Sequence, residues 1–161
     1  MQQPKQPGFT LLEMMVVLGI LAILLTISVP SYESRSVRTQ VNESLELIKT
    51  LKESVGLFYL ATQKFPRNNN EAGIPDPEFL VGNFVQRIDL VNGAFQISFG
   101  NKASTRLKNK ILTVRPMVVQ GSPESPISWV CGFSGVPENM IAIGSNNTNV
   151  EKTYLPPNCF L

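Results

Sequence analysis

One carboxylate stands alone in a long apolar stretch near the amino terminus. From Phe9 to Val29 the only charged residue is Glu13. An ionised carboxylate in hydrocarbon costs at least about 2.5 kcal/mol, so a side chain of this kind needs a partner. Near a chain end the natural partner is an α-ammonium, and a cut after Gly8 would create one at Phe9. That reading joins three observations: the glycine, the phenylalanine and the isolated glutamate. An ordinary cleaved secretory signal fits less well, because the run exceeds the roughly 7–15 residues of a signal core and no Ala-x-Ala site follows. A plain membrane anchor explains the run but leaves Glu13 without a partner. Elsewhere the chemistry-bearing residues are sparse. Cys131 and Cys159 are the only cysteines, and there is no histidine, hence neither the commonest general base nor the commonest transition-metal ligand. With no cluster of acidic or cysteine ligands, no catalytic group can be named. The expectation is a protein that is not an enzyme and holds no cofactor and no metal.

The elements that position these residues follow from pattern. At about 1.5 Å per residue, a helix over Phe9–Val29 spans the roughly 30 Å hydrocarbon core of a bilayer. Beyond it, Val37, Val41, Leu45, Ile48, Leu51, Val55 and Phe58 recur at spacings of three and four, with Arg38, Gln40, Glu43, Glu46, Lys49 and Lys52 between them. The spacing predicts one helix from Phe9 to Leu60, apolar all round at first and amphipathic afterwards. Pro30 should kink it, since proline removes a backbone hydrogen bond and crowds the preceding turn. Thr62 to Gly82, with Lys64-Phe65-Pro66, three consecutive asparagines from Asn68, and Gly73, Pro75 and Pro77, reads as a loop. Gln86 to Val91 and the alternating Phe95-Gln96-Ile97-Ser98-Phe99 form a hairpin through Asn92-Gly93. Ile111 to Val114 and Ile127 to Cys131 complete a four-stranded antiparallel sheet, whose apolar face covers the helix stripe. Gly132 to Leu161 is rich in Gly, Asn, Ser and Pro and reads as irregular.

Composition agrees with a single folded domain of 161 residues, 43% hydrophobic and 16% charged. A net charge of +2 does not mark a general nucleic-acid or lipid-surface binder. Lys102, Arg106, Lys108 and Lys110 cluster between two strands, where a solvated turn is the ordinary outcome and contact with DNA the rarer one. Trp129 and Phe133 read as packing residues. Asn42-Glu43-Ser44 and Asn146-Asn147-Thr148 fit the glycosylation sequon, a triplet that arises often by chance.

Gly8-Phe9-Thr10-Leu11-Leu12-Glu13, after a short leader with one basic residue, Lys5, and before an apolar run, resembles the prepilin signature of type IV pilins and pseudopilins. Pro30-Ser31-Tyr32 resembles the end of that family's transmembrane half-helix. The stretches Ile127-Ser128-Trp129-Val130-Cys131 and Leu155-Pro156-Pro157-Asn158-Cys159 resemble the paired cysteine regions of true pilins. Met14-Met15 is a mild departure, still apolar. The resemblance implies cleavage after Gly8 by a prepilin peptidase, methylation of the new amino group of Phe9, and a subunit-contact role for Glu13. Cys131 and Cys159 could be buried thiols, but export of the globular part favours a disulfide, whose loop closure is worth about 3.6 kcal/mol in the chain-entropy model.

The expected architecture is therefore α+β: a leader at residues 1–8, a membrane-spanning assembly half-helix at 9–29, and a globular domain at 30–161 with a disulfide-bounded loop at 131–159. The implied function is that of a structural subunit of a type IV pilus, serving adhesion, motility or DNA uptake. It would sit in the inner membrane before assembly and in an extracellular filament afterwards. Its implied partners are the processing peptidase and methyltransferase and other pilin subunits, minor ones included. Two alternatives stay open on the sequence: a pseudopilin of a type II secretion system, and a minor subunit that binds DNA or a receptor through the basic loop.

Overall fold

The computed structural model describes residues 8–161, and for residues 27–31 the backbone alone. The expected leader, apart from Gly8, lies outside the described residues, and so does the proline ring on which the expected kink at Pro30 depends. Two helices come first, α1 at Leu11–Leu47 and α2 at Lys49–Thr62. Helical backbone runs through position 30, and the single helix expected to Leu60 is interrupted only at Ile48 (φ −88°, ψ −2°). The helical ladder resumes at once, as Lys52 N–H donates to the Ile48 carbonyl at 3.0 Å. At the far end Gln63 closes α2 in the left-handed region (φ 56°), its N–H donating to the Tyr59 carbonyl.

The chain divides into two compact units between Arg35 and Ser36. In the first, the described side chains from Phe9 to Thr26 are all exposed. Among the described residues no helix is long and apolar enough to cross a membrane, and the apolar run Phe9–Val29 reaches into positions whose side chains are not among them.

In the second unit the helix stripe lies where the periodicity put it. Val37, Val41, Ile48 and Val55 are buried in one cluster with Ile88, Leu90, Phe95, Ile97, Phe99, Leu112 and Val114 of the sheet. Phe58 is only half-buried; Tyr59 takes the inward place and stacks on Phe65 with ring centroids 4.4 Å apart. The antiparallel sheet comprises β1 (Val85–Val91), β2 (Ala94–Phe99), β3 (Ile111–Val119), β4 (Ser128–Cys131) and β5 (Met140–Ala142). Its order is β1-β2-β3-β4, with β5 also paired to β3. Asn92 (φ 49°) and Gly93 (φ 83°) form the two-residue turn with both φ values positive that their identities predict.

Three features differ from expectation. The third strand runs on to Val119 through Pro116, a residue that reads as a breaker. It is tolerated because β2 pairs with β3 only as far as Val114, so the missing N–H interrupts no bond to β2. The sheet has five strands rather than four, since Met140–Ala142 pairs with the extended part of β3. The second face of β2 is also covered. Gln96 is buried; its Nε2 donates to the Ser145 carbonyl, and its Oε1 accepts from the Thr113 hydroxyl at 3.0 Å. Thr113 in turn accepts from Asn147 N–H at 3.0 Å. The carboxyl-terminal stretch thus crosses this face, while its Val150, Leu155 and Cys159 enter the main core.

Candidate functional site

The amino-terminal site is built by the start of α1. Glu13 is its third residue. The Glu13 carboxylate accepts from Thr10 N–H at 2.9 Å and from the Thr10 hydroxyl at 3.0 Å. The Thr10 oxygen accepts from Glu13 N–H at 3.2 Å. This reciprocal arrangement is a capping box, in which two otherwise orphaned N–H groups at a helix start are satisfied. Thr10 was not among the residues singled out from the sequence, although Thr-x-x-Glu ahead of an apolar run is the capping-box pattern. Gly8 and Phe9 lie immediately before this cap. Phe9 is 80% exposed, and among the described residues, chain neighbours aside, no atom lies within 4 Å of the place a Gly8 side chain would occupy. Among the described residues nothing encloses either of them.

What surrounds Glu13 matters as much as what it touches. Leu11, Leu12, Met14, Met15 and Val16 are all exposed. A helix apolar on every side has no stable place in water and is at home in lipid or among other apolar helices. One helix start therefore combines a capped carboxylate, an exposed Phe9 and an uncovered apolar surface.

The cysteines form the second site. Cys131 at the end of β4 is bonded to Cys159, which lies in a 3₁₀ turn at Pro157–Cys159. The bond seals a backbone crossing: Phe133 N–H donates to the Cys159 carbonyl at 2.7 Å. Gly132 sits between them with φ 56°, where an added side chain would lie 2.7 Å from the Cys159 carbonyl oxygen. Only glycine fits there without moving the disulfide-bonded loop.

The remaining candidates resolve into structure. The basic loop is anchored by the buried Ala103 and Leu107 and by Ser104 N–H donating to Gln40 Oε1 at 2.8 Å. Lys102, Arg106 and Lys108 are exposed and Lys110 half-buried, as in a solvated turn. Trp129 stacks on Phe95 with centroids 5.5 Å apart, and Lys52 Nζ lies 5.2 Å from the Trp129 ring centroid. Phe133 is exposed, with Lys152 Nζ 5.5 Å from its ring. In the first sequon Ser44 is buried, its hydroxyl donating to the Val41 carbonyl; in the second, Asn146 donates to the Gly132 carbonyl at 2.7 Å. Among the described residues no group of His, Cys, Asp or Glu is arranged to hold a metal ion.

One residue that sequence reading passed over organises the long loop. Asn69 is buried; its amide donates to the Pro75 carbonyl at 2.9 Å and the Ile88 carbonyl at 3.1 Å. Its oxygen accepts from Leu90 N–H at 2.7 Å. The loop is thereby clamped to β1.

Comparison with known proteins places these features in context. Residues 37–160 match the pilin family of bacterial filaments, and residues 3–29 match the prokaryotic N-terminal methylation motif. A type IV major pilin protein of Neisseria gonorrhoeae is 30% identical over 160 residues, covering 96% of this chain and 93% of its own. A fimbrial protein of Neisseria meningitidis is 28% identical, covering 96% of this chain and 94% of its own. A fimbrial protein of Pseudomonas aeruginosa is 25% identical, covering 96% of both.

Proposed function

This chain belongs to the pilin family of bacterial filament subunits, and from that premise we propose that it is a bulk building block assembled out of the inner membrane through its amino-terminal helix. Before assembly Phe9–Val29 sits in the bilayer with the globular unit outside the cytoplasm; Lys5 on the cytoplasmic side agrees with the positive-inside tendency. The peptidase cuts after Gly8 and the Phe9 amine is methylated. The apolar helices then exchange lipid for one another, through contacts between unlike surfaces that repeat without closing.

The observation that carries this reading is the Thr10–Glu13 cap. It holds the only carboxylate of the apolar run one residue away from the amine that cleavage would create. The carboxylate can therefore meet an ammonium, on its own chain or on a neighbour, without unwinding the helix. In lipid that charge is a cost; beside an ammonium in a helix core it sets register. The subunit acts by packing, with no catalysis of its own.

A long surface filament, rather than a short secretion piston, is supported by the Cys131–Cys159 bond and by relatives named as major pilin and fimbrial proteins. Filaments of this kind serve adhesion, twitching motility or DNA uptake. The test is to shear surface filaments from cells and measure the mass and abundance of their protein. This chain should dominate, begin at Phe9 and carry one extra methyl group. A retained leader, a cut beyond Val29, or presence only in traces would contradict the reading.

A further inference from the structure

Two adjoining hollows of the globular unit form one trough between the helix and β4, and they share Lys52 and Trp129. One half is polar, with Asn42, Glu46, Lys49 and Asn158. The other is apolar, with Gly56, Pro126 and Ile127, and is rimmed by Glu53 and Glu124. At the junction Lys52 is half-buried, and among the described residues no carboxylate forms an ion pair with it. Lys49, by contrast, is paired with Glu46 at 2.6 Å. Burial, and secondarily the neighbouring Lys49 charge, hold the Lys52 amine below the usual lysine range. A partly desolvated cation of this kind is relieved by an incoming carboxylate.

The same unit carries a knob of matching chemistry. In Asp76-Pro77-Glu78-Phe79 both acids are exposed and Phe79 is 71% exposed. The knob is rigid. Asn69 clamps the Pro75 carbonyl on one side, Asn101 holds the Gly82 carbonyl at 3.0 Å on the other, and Phe79 N–H donates to the Asp76 carbonyl within a 3₁₀ turn. Arg87, the cation on β1 whose charge Glu78 supports only as the smallest of its influences, forms its ion pair with Asp89. A preformed segment binds without a large ordering cost, and an exposed aromatic beside acids is suited to anchor an interface.

We propose that the trough receives the knob of a second copy of this chain, making a contact between globular units that adds to the helix packing. This rests on the filament reading. The orientation follows from charge: Asp76 and Glu78 lie toward Lys52, and Phe79 over the apolar half, because the opposite placement would set acids against Glu53 and Glu124. The one carboxylate of the polar half, Glu46, is already paired with Lys49. Knob and trough are different surfaces, so the contact repeats along a filament instead of closing a dimer.

The experiment uses the full chain in a filament-forming host, with wild type, Phe79→Ala, Lys52→Glu, Glu78→Lys and the double charge swap. Membrane-pool abundance controls for folding. Each single variant should keep its pool yet lower sheared-filament yield at least about tenfold, the ratio that one lost contact of ordinary strength gives. The double swap should restore most of it. In wild-type filaments a zero-length carbodiimide should join Lys52 to Asp76 or Glu78 between copies, and should not do so in detergent-dispersed subunits. Emission of Trp129, the only tryptophan, should differ between these two states. Wild-type yield from Phe79→Ala, or Lys52 joined instead to another acid, overturns this contact and leaves the filament reading standing. Wild-type cells without filaments of this chain remove both.

Discussion

Asn69 and Glu13 show at the scale of single residues how differently two polar side chains can be legible. Glu13 was conspicuous because a charge amid apolar residues has to be explained by a partner. Asn69 was hidden in a run of three asparagines whose composition speaks only of turns. Its role depends on Ile88 and Leu90, which are distant in sequence, and on Pro75 beyond an intervening turn. Replacing it by leucine would keep the volume roughly but leave a buried N–H and two carbonyls without their bonds. Each orphaned group costs about 1–3 kcal/mol. Asn69→Leu should therefore lower the thermal unfolding midpoint of the detergent-dispersed chain sharply, whereas Asn68→Leu and Asn70→Leu should have far smaller effects, because both positions are exposed. Equal effects at the three positions would mean that the clamp is not what holds the loop. Thr10 lies between these cases. Its Thr-x-x-Glu pattern is readable in the sequence, but the isolated charge is the stronger signal of the two.

Elements were legible where their cause is local. The helix stripe follows from spacing alone, and the hairpin turn from two adjacent residues that tolerate positive φ. Met140–Ala142 carries no such signal: three residues become a strand only because β3 extends past Pro116 to meet them. Coverage of the second sheet face depends likewise on a stretch that reads as irregular, yet packs through Gln96, Thr113 and Asn147. Two predictions belong at this scale. Gly93→Ala should cost more than the 1 kcal/mol or so typical of a lost glycine turn, because the added carbon would lie 2.9 Å from Phe65 Cβ and 3.0 and 3.1 Å from the ring atoms Cγ and Cδ1, which Phe65→Ala removes. Phe65→Ala should relieve part of that loss, and strictly additive effects in a double-mutant cycle would argue against the clash. Removing the disulfide by Cys131→Ser with Cys159→Ser should cost about 2–5 kcal/mol. The loss should show first as faster amide exchange at Phe133, whose N–H meets the Cys159 carbonyl. If exchange there stayed slow while the sheet loosened, the bond would be stabilising something other than the crossing it seals.

For the whole molecule, Glu13 separates a filament subunit from a domain that is merely anchored. In a lone anchor the carboxylate is a cost that its cap only eases, so Glu13→Val should be neutral or should improve membrane insertion. In the filament proposed above the carboxylate would face an ammonium in surroundings of low dielectric, and removing one partner of such a buried pair commonly costs about 3–5 kcal/mol. The same substitution also removes the cap's bonds to Thr10. That second loss can be measured alone: Thr10→Val keeps the charge and forfeits about 0.5–2 kcal/mol of capping. Comparing the two variants therefore divides helix start from charge pairing. Both should reach the membrane at normal levels, since the core cluster of the globular unit begins only at Val37. Filament yield should fall modestly for Thr10→Val and be abolished for Glu13→Val, because the missing charge contact recurs at every added subunit. Equal defects would make Glu13 a capping residue only, and abundant filaments from Glu13→Val would show that register is set elsewhere along the helix.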